Sequence, residues 1–403
     1  MSEKLNTNVP ELRFKGFSEP WVQRNIFEIT DRTLGGGTPS TNNSEYWNGN
    51  IPWIQSSDLK KDNVLKEFSN KKITQVALKE SAAKLIPKNS IAIVTRVGIG
   101  KLALIDNDFS TSQDFLSLIN LKGDPHYFLY RLYILMKHES LVAQGTSIKG
   151  LTKQDLLSKK IHISTDLEEQ VKIGNMFKNV DFLLAAYQRK VELLERQKQG
   201  YLQQIFSQNL RFKGYSIPWV QRKLGQVFYQ EVQYIDPKVE NVPLWSLTVA
   251  DGLVEKTDRY NREFLVKKND KFKLVKDNWF TYNPMNMTLG ALDVNELRQD
   301  IAVSGYYVTM SLNNQFNRTF LKTWMKSYKA ISLFKLYATG SLIEKQRVQF
   351  GTLSEIPSKF PKYDEQTKIG LFFDLINELI AAYQSKITLM QQQKQAYLQK
   401  MFI

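Results

Sequence analysis

The sequence predicts an α+β protein in which two globular domains are separated by two long antiparallel coiled-coil helices, closed into a pseudo-two-fold circular arrangement. Three observations predict it. A short box and a long helical segment each occur twice; a heptad seam runs through both copies of the long segment; and the two blocks between them, of nearly equal length, mix short alternating strands with apolar helical stretches.

The N-terminal segment 1–24 begins MSEKLNTNVP, without the charged-then-apolar layout of a secretory signal, and no run of about 18 apolar residues follows anywhere in the chain. A cytoplasmic location is the expectation. The segment closes on the box LRFKGFSEPWVQR (Leu12–Arg24), which returns as LRFKGYSIPWVQR (Leu210–Arg222) with 11 of 13 positions identical, so the chain is internally duplicated.

The first variable domain, 25–164, opens with GGGTPSTNNSEYWNGNIPWIQSSDL. Gly35, Gly36, Gly37, Thr38, Ser40 and Thr41 read as a flexible polar loop of donors able to cradle phosphates or reach base edges, or as a plain surface loop. Trp47 and Trp53 read as core rather than as stacking platforms. Alternating runs such as SIAIVTRVG and KLALID are strands, YFLYRLYILMK is helical, and QGTSIKGLTKQDL, with Gln144, Thr146, Ser147 and Lys149, is a second polar, basic turn ahead of a short helix. RVGIGK (96–101) lacks the glycine and hydroxyl spacing of a nucleotide phosphate loop, having Thr95 and Leu102 at those places.

The helical spacer 165–209 places Ile173, Phe177, Val180, Leu184, Tyr187, Val191, Leu194, Lys198, Tyr201 and Ile205 at alternating steps of four and three, a heptad seam. Thr165 and Glu168 have capping-box spacing at its start. After the second box (210–222) and a second variable domain (223–360), the C-terminal spacer 361–403 repeats the register through Ile369, Phe373, Ile376, Ile380, Tyr383, Ile387, Met390, Lys394, Tyr397 and Met401. Between Glu169–Phe206 and Glu365–Phe402, 20 of 38 positions are identical, so each helix finds its natural partner in the other copy, and such a closure brings the two chain ends together. A lysine interrupts the seam at the same place in both copies, either as a snorkelling stem or as a register device.

The second variable domain departs from the first. It carries NVPLWSLTVADG (241–252), TYNPMNMTLGALDV (281–294) and GSLIEKQRVQFGTL (340–353), the last with the basic cluster Lys345, Gln346 and Arg347. YNPMN (282–286) is reminiscent of the motif with which adenine methyltransferases hold a flipped base, but Met285 and Asn286 replace its second proline and its aromatic residue, and no glycine-rich cofactor loop precedes it.

A formal charge of +15, from 55 Lys and Arg against 40 Asp and Glu, attracts polyanions, with nucleic acid the leading candidate and a membrane surface the competitor. The absence of cysteine excludes disulfides and thiolate metal sites. With only His126, His138 and His162 available, a zinc site is not expected either. A coiled-coil assembly scaffold, or an enzyme with a cryptic site, stands as the alternative to DNA reading.

In their order and duplication, ELRFKGF and NLRFKGY, GGGTPSTNNSEYWNGNIPWIQSSDL, QGTSIKGLTKQDL, the helix starts DLEEQVKIG and YDEQTKIG, and the two heptad helices make the chain resemble a specificity subunit of a type I restriction-modification system along essentially its whole length. The resemblance implies that each variable domain is a target recognition domain for one half of an asymmetric bipartite DNA site, and that the helices set the spacer and dock partners. The implied partners are double-stranded DNA, two modification (methyltransferase) subunits and restriction (translocase and nuclease) subunits, with no membrane. S-adenosylmethionine, ATP and Mg are then expected in those subunits, with no cofactor, metal or catalytic residue in this chain. The family offers no residue signature for DNA contact, so polar members of these regions are the candidates: Gly36, Gly37, Thr38, Ser40, Thr41, Gln55, Ser56, Ser57, Arg96, Lys101, Gln144, Thr146, Ser147 and Lys149 in the first domain, and Asn283, Asn286, Tyr306, Lys345, Gln346 and Arg347 in the second.

Overall fold

A computed structural model describes residues 8–65, 69–144, 150–255, 271–340 and 346–403, with the side chains at 143 and 144 excepted. The chain divides into two units, one formed by residues up to Arg189 together with Gln384–Ile403 and the other by Lys190–Tyr383. Each unit thus receives the N-terminal part of one long helix and the C-terminal part of the other.

In the first unit, β1 (Val22–Asn25), β2 (Thr30–Gly35), β3 (Trp47–Ile54), β4 (Lys72–Ile73) and α1 (Gln75–Glu80) precede β5 (Ser90–Val94), β6 (Leu102–Ile105), β7 (Ser110–Thr111) and β8 (Phe115–Leu121). Next come α2 (Pro125–Gln144), α3 (Lys153–Ser158), β9 (Lys160–Ile163) and the start of α4 (Leu167–Phe206). An antiparallel sheet in the order β2-β8-β5-β6 forms the middle, and β4-β3-β7 flanks it. SIAIV reads as a continuous apolar run because every residue of β5 is buried, with both faces of the strand covered. YFLYRLYILMK is apolar on almost every side because α2 runs through the core, with Tyr127 to Leu132 largely enclosed. Arg131 enters that core paired with carbonyls: Nε donates to His162 O at 3.2 Å and Nη2 to Ile403 O at 2.6 Å.

The second unit carries β10 (Val220–Lys223), β11 (Phe228–Glu231), β12 (Tyr234–Ile235), β13 (Trp245–Thr248), β14 (Gly252–Glu255), β15 (Phe272–Val275) and β16 (Phe280–Tyr282). These lead to β17 (Leu292–Val294), β18 (Ile301–Ser304), β19 (Val308–Leu312), α5 (Arg318–Met325), α6 (Tyr328–Tyr337), α7 (Phe350–Glu355), β20 (Pro357–Phe360) and α8 (Tyr363–Met401). Its sheets, β11-β19-β16-β17, β12-β15-β18 and β13-β14, do not follow the strand order of the first unit, in keeping with the divergence of the two blocks.

What the units share is the frame, and the repeated residues explain themselves one by one. Arg13 of the first box grips Glu169 with two bonds, Nε to Oε1 at 2.5 Å and Nη2 to Oε2 at 2.9 Å; Arg211 of the second box grips Glu365 the same way at 2.9 and 2.5 Å. Gln170 accepts from Asp124 N at 2.9 Å and donates to Ser164 O at 2.7 Å, while Gln366 accepts from Asn317 N and donates to Pro361 O, both at 2.9 Å. Lys172 lies 4.8 Å from the Phe17 ring and Lys368 5.7 Å from that of Tyr215. Ile173 and Ile369 are core residues. A Cβ on Gly174 would stand 2.3 Å from Asp124 Oδ1, and one on Gly370 2.8 Å from Phe320 N, so glycine permits the close helix approach at both places. The frame closes with one strand pair per unit, β1 with β9 and β10 with β20. Behind each clamp Trp21, Tyr127, Phe177 and Phe402, or Trp219, Phe320, Phe373 and Phe206, form an aromatic cluster with centroids 5.5 to 6.5 Å apart.

The helix pairing is antiparallel within each unit. In the first, Phe177 meets Phe402, Asp181 meets Lys394 and Tyr187 meets Lys386; in the second, Phe206 meets Phe373 and Tyr201 meets Phe372. Phe177, Leu184, Val191, Leu194, Phe373 and Ile380 are buried at the seam, and Val180, Tyr187, Ile376, Tyr383, Ile387 and Met390 are half-buried. Two expectations need correction. Tyr201 and Tyr397 are exposed, and Leu202 and Leu398 occupy the seam instead, because a step of four after each seam lysine converts the heptad locally to an eleven-residue repeat. The cap of α4 is Asp166, whose Oδ1 accepts from Glu168 N at 2.8 Å and Glu169 N at 3.1 Å, rather than Thr165. In the first unit the box meets the last turn of α8, with Leu12 N donating to Lys400 O at 2.8 Å and Lys400 Nζ to Glu11 Oε1 at 2.6 Å.

Candidate nucleic-acid interface

In the first unit most of the candidate residues converge on one end of the central sheet. There β5 ends and β8 begins, with Val94 opposite Phe115 and Thr95 N bonded to Asp114 O at 2.8 Å. Arg96 leaves this end exposed on a turn in which Gly98 and Gly100 take φ of +96° and +100°. The turn simply joins the antiparallel pair β5 and β6, which accounts for its imperfect likeness to a phosphate loop. Lys101, returning into β6, donates from Nζ to Ser56 O at 2.7 Å and so fixes Gln55, Ser56 and the exposed Ser57 beside it. Leu151 N donates to Thr95 O at 2.7 Å, tying down the segment that begins α3. Thr146, Ser147 and Lys149 lie outside the described residues, as does the side chain of Gln144.

The glycine loop is closely packed, and its glycine amides are not free donors. Gly36 N donates to Phe115 O at 3.3 Å and Gly37 N to Thr111 O at 2.9 Å, so both amides are occupied. A Cβ would stand 2.0 Å from Ser112 O at Gly36 and 2.0 Å from Ala82 O at Gly37; these glycines serve close packing. Thr38 Oγ1 donates to Gln113 Oε1, while Ser40 and Thr41 are exposed. Two tryptophans clamp the loop, Trp53 Nε1 donating to Gly37 O and Trp47 Nε1 to Ser40 O, each at 3.0 Å, with the rings edge to face at 5.2 Å and 88°. Trp53 is buried and Trp47 half-buried. Beside them opens a cleft of about 310 Å³ lined by Thr41, Trp47, Asn48, Asn70, Lys71 and Lys72. Of these only Thr41 was a candidate for DNA contact in the sequence, and Trp47 had read as core. Lys71 and Lys72 reach Trp47 through the pairing of β4 with β3, where Pro52 faces Lys72, a contact that local sequence does not announce.

In the second unit Asn283, Asn286, Gln346 and Arg347 come together. YNPMN forms a tight turn in which Asn283 Oδ1 accepts from Met285 N and Asn286 N donates to Asn283 O, both at 3.0 Å. Val348 N donates to Pro284 O at 3.0 Å, and Arg347 exchanges two backbone bonds of 2.9 Å with Thr339, which sets its exposed side chain next to the turn. Lys345 lies outside the described residues. β16 and β19 are antiparallel, with Tyr282 opposite Val308, so the exposed Tyr306 precedes its strand at the end where Asn283 leaves the other. Burial raises the pKa of the Tyr282 hydroxyl, which makes no hydrogen bond with the described residues. The sequence did not single out Tyr234, whose ring lies 5.3 Å from Lys271 Nζ and 5.8 Å from Lys273 Nζ. Burial lowers the pKa of Lys273, whose ammonium donates to Tyr307 O at 2.7 Å.

Among the described residues no group of acidic or histidine side chains could hold a metal ion, and no helix is long and apolar enough to cross a membrane.

Residues 18–196 match the family described as "Type I restriction modification DNA specificity domain". Similar proteins include the MjaIX type I restriction enzyme specificity subunit of Methanocaldococcus jannaschii, 28% identical over 48% of this chain and 45% of that one, and the EcoR124I/EcoR124II specificity subunit of Escherichia coli, 34% identical over 47% and 50%. The chain thus matches about half the length of these curated relatives. The crystal structure of the type I restriction-modification S subunit from M. genitalium superposes with a TM-score of 0.65 at 16% identity, covering 98% of this chain and 99% of that one, a likeness of fold.

Proposed function

We propose that the chain, whose residues 18–196 match the type I restriction-modification DNA specificity domain and which resembles specificity subunits over about half their length, is the DNA-reading subunit of such a system, each unit recognising one half of an asymmetric bipartite site. The observation that carries this reading is the contrast between frame and insert. The clamp of box arginine, helix-start glutamate and glutamine, and close-approach glycine is reproduced residue for residue, whereas the polar and basic ends mounted on it differ in sheet order and in side chains. Two copies serving one palindromic word would have kept the inserts alike. Exposed Arg96 and Arg347 have the side chain that reads guanine edges or grips phosphates, and Asn283 and Asn286 the one that reads adenine.

The lengths of α4 and α8 set the number of base pairs between the half-sites, and their outer faces dock two modification subunits. Those subunits bring S-adenosylmethionine, and restriction subunits bring ATP and Mg, the chain itself supplying recognition in the cytoplasm. Methylome sequencing tests the reading. Shortening α4 and α8 by one heptad each should change the spacer and leave both half-site sequences intact; changed half-sites with an unchanged spacer would overturn it. Methylation or cleavage by the purified chain alone would replace it with an enzyme.

A further inference from the structure

We infer that the cleft beside Trp47 and Trp53 in the first unit is a phosphate site for the DNA backbone, gripping a phosphodiester that flanks the bases read at the neighbouring sheet end. The inference rests on the DNA-reading function above and assigns a role to Lys71 and Lys72, which lie outside the sequence candidates.

The chemistry of the lining points to an anion carried on a sugar and base. Lys71 and Lys72 bring two positive charges, Thr41, Asn48 and Asn70 bring neutral donors and acceptors, and Trp47 brings an aromatic wall; no carboxylate among the described residues lines the cleft. Neither lysine forms an ion pair within the described residues. Lys71 is also held in place. Trp53 N donates to Lys71 O at 3.0 Å, Ser69 Oγ donates to Lys71 O at 3.0 Å and to Trp53 O at 2.6 Å, and the Lys71 ammonium lies 5.9 and 5.6 Å from the Trp47 and Trp53 rings. Asn48 adopts φ +64°, the left-handed region that asparagine tolerates, where β3 bulges against β4.

The same tryptophans donate to Gly37 O and Ser40 O, so the cation and the glycine loop share one rigid support. A phosphate held here would be in fixed register with whatever Thr38, Gln55 and Arg96 contact. Such contacts position a protein on the duplex without reading sequence, and each one releases counterions.

The test measures binding of full-length chain, assembled with its modification subunits, to cognate and scrambled duplexes across a salt series, for wild type and Lys71→Ala/Lys72→Ala. Both lysines are exposed, so an unchanged melting curve is the folding control. The expected result is weaker binding to both duplexes, a log-log salt slope shallower by about 0.9, a penalty that therefore shrinks roughly three- to fourfold between about 50 and 200 mM salt, and unchanged half-sites. Inorganic phosphate or a free nucleotide protecting the cleft lysines from acylation in the absence of DNA, with the salt slope unchanged, would make it a small-anion pocket and overturn the assignment. An altered half-site would make these residues base readers, with the same effect. Wild type that binds DNA with a slope the double variant shares overturns this site alone, whereas wild type that shows no preference for the cognate duplex overturns the DNA-reading function with it.

Discussion

The seam lysines Lys198 and Lys394 occupy one repeat position and should respond oppositely to the same substitution. Lys394 is 4% exposed in its side chain, and its ammonium lies 2.6 Å from Asp181, itself 9% exposed. Tyr130 donates to the other oxygen of Asp181 at 2.8 Å, and the Tyr130 and Tyr133 rings lie 5.3 and 5.6 Å from the ammonium. Lys198 has no such setting: the repeat puts Asn377 where the first unit has Asp181, and burial, followed by Lys326, pushes its pKa down. Lys394→Met would strand a buried carboxylate and should cost about 3 to 5 kcal/mol, whereas Lys198→Met relieves a desolvated charge and should cost nothing or stabilise. Asp181→Asn, which gives the first unit the residue of the second, should approach the Lys394→Met loss.

Two units make a single melting temperature ambiguous, so the assay is native-state hydrogen exchange read separately at Leu167–Arg189 with Gln384–Met401, and at Lys190–Phe206 with Tyr363–Tyr383. The expected loss corresponds to protection lower by two to nearly four orders of magnitude in the first set for Lys394→Met. The pH dependence provides a second check. A lysine whose folded pKa is depressed binds fewer protons folded than unfolded, so stability rises as pH climbs through the folded value toward the ordinary 10.5. That alkaline gain at the second set should vanish in Lys198→Met. Equal losses for the two methionine variants, or a Lys394→Met loss below about 1 kcal/mol, would refute the reasoning.

Other substitutions probe the frame and the loop ends. Arg13→Ala leaves Glu169 buried without its guanidinium and should cost about 3 kcal/mol, seen as early proteolysis at the start of α4, with Arg211→Ala doing the same at α8. Gly174→Ala puts a methyl against Asp124 Oδ1 and Tyr127 N and should destabilise by about 1 to 3 kcal/mol in chemical denaturation, whereas Gly200→Ala, which meets nothing, should be neutral or stabilising. Arg347→Ala should relax the preference at one position of a single half-site and cost about 1 to 3 kcal/mol in cognate binding, measured by competition against single-base variants.

The frame was legible because its determinants are local and appear twice. The four-three spacing of Phe177, Val180 and Leu184 is a helical fact that no tertiary context has to supply, and Arg13, Glu169 and Gly174 all fall inside the repeated segments, although nothing local assigned them contacts. The step from Lys198 to Leu202 was missed because tyrosine at 201 and leucine at 202 are both acceptable in a heptad; only the packing chooses between them. The loop ends were half legible. Gly36 and Gly37 looked like a flexible donor loop, since glycine-rich sequence signals both freedom and tight packing, and Ser112 O and Ala82 O, far along the chain, decide for packing. Lys71 was invisible because its role depends on Trp53 N, a strand pairing of different parts of the chain.

These successes and failures divide along a line that bears on how the protein changes its target. Clamp residues are fixed by mutual contacts inside each unit: Glu169 answers to Arg13 and Trp21, Gln170 to Asp124 and Ser164. None of these partners belongs to the polar loop ends, so an insert can be replaced provided that it returns an apolar α2 or α5 with a capping residue, Asp124 or Asn317, at the helix start. Those two residues meet the clamp glutamine through their backbone N–H, a group that does not depend on side-chain identity. At the glutamine the insert is therefore held through a bond indifferent to its sequence, while aromatic side chains such as Tyr127 and Tyr130 complete its contact with the long helices. Grafting the segment of a relative that corresponds to residues 25–164, with aromatic residues kept at the places of Tyr127 and Tyr130, should accordingly leave hydrogen-exchange protection of the long helices little changed while replacing one half-site; loss of that protection in chimeras that also retain the capping residue and the glutamine would contradict a sequence-indifferent contact at the glutamine.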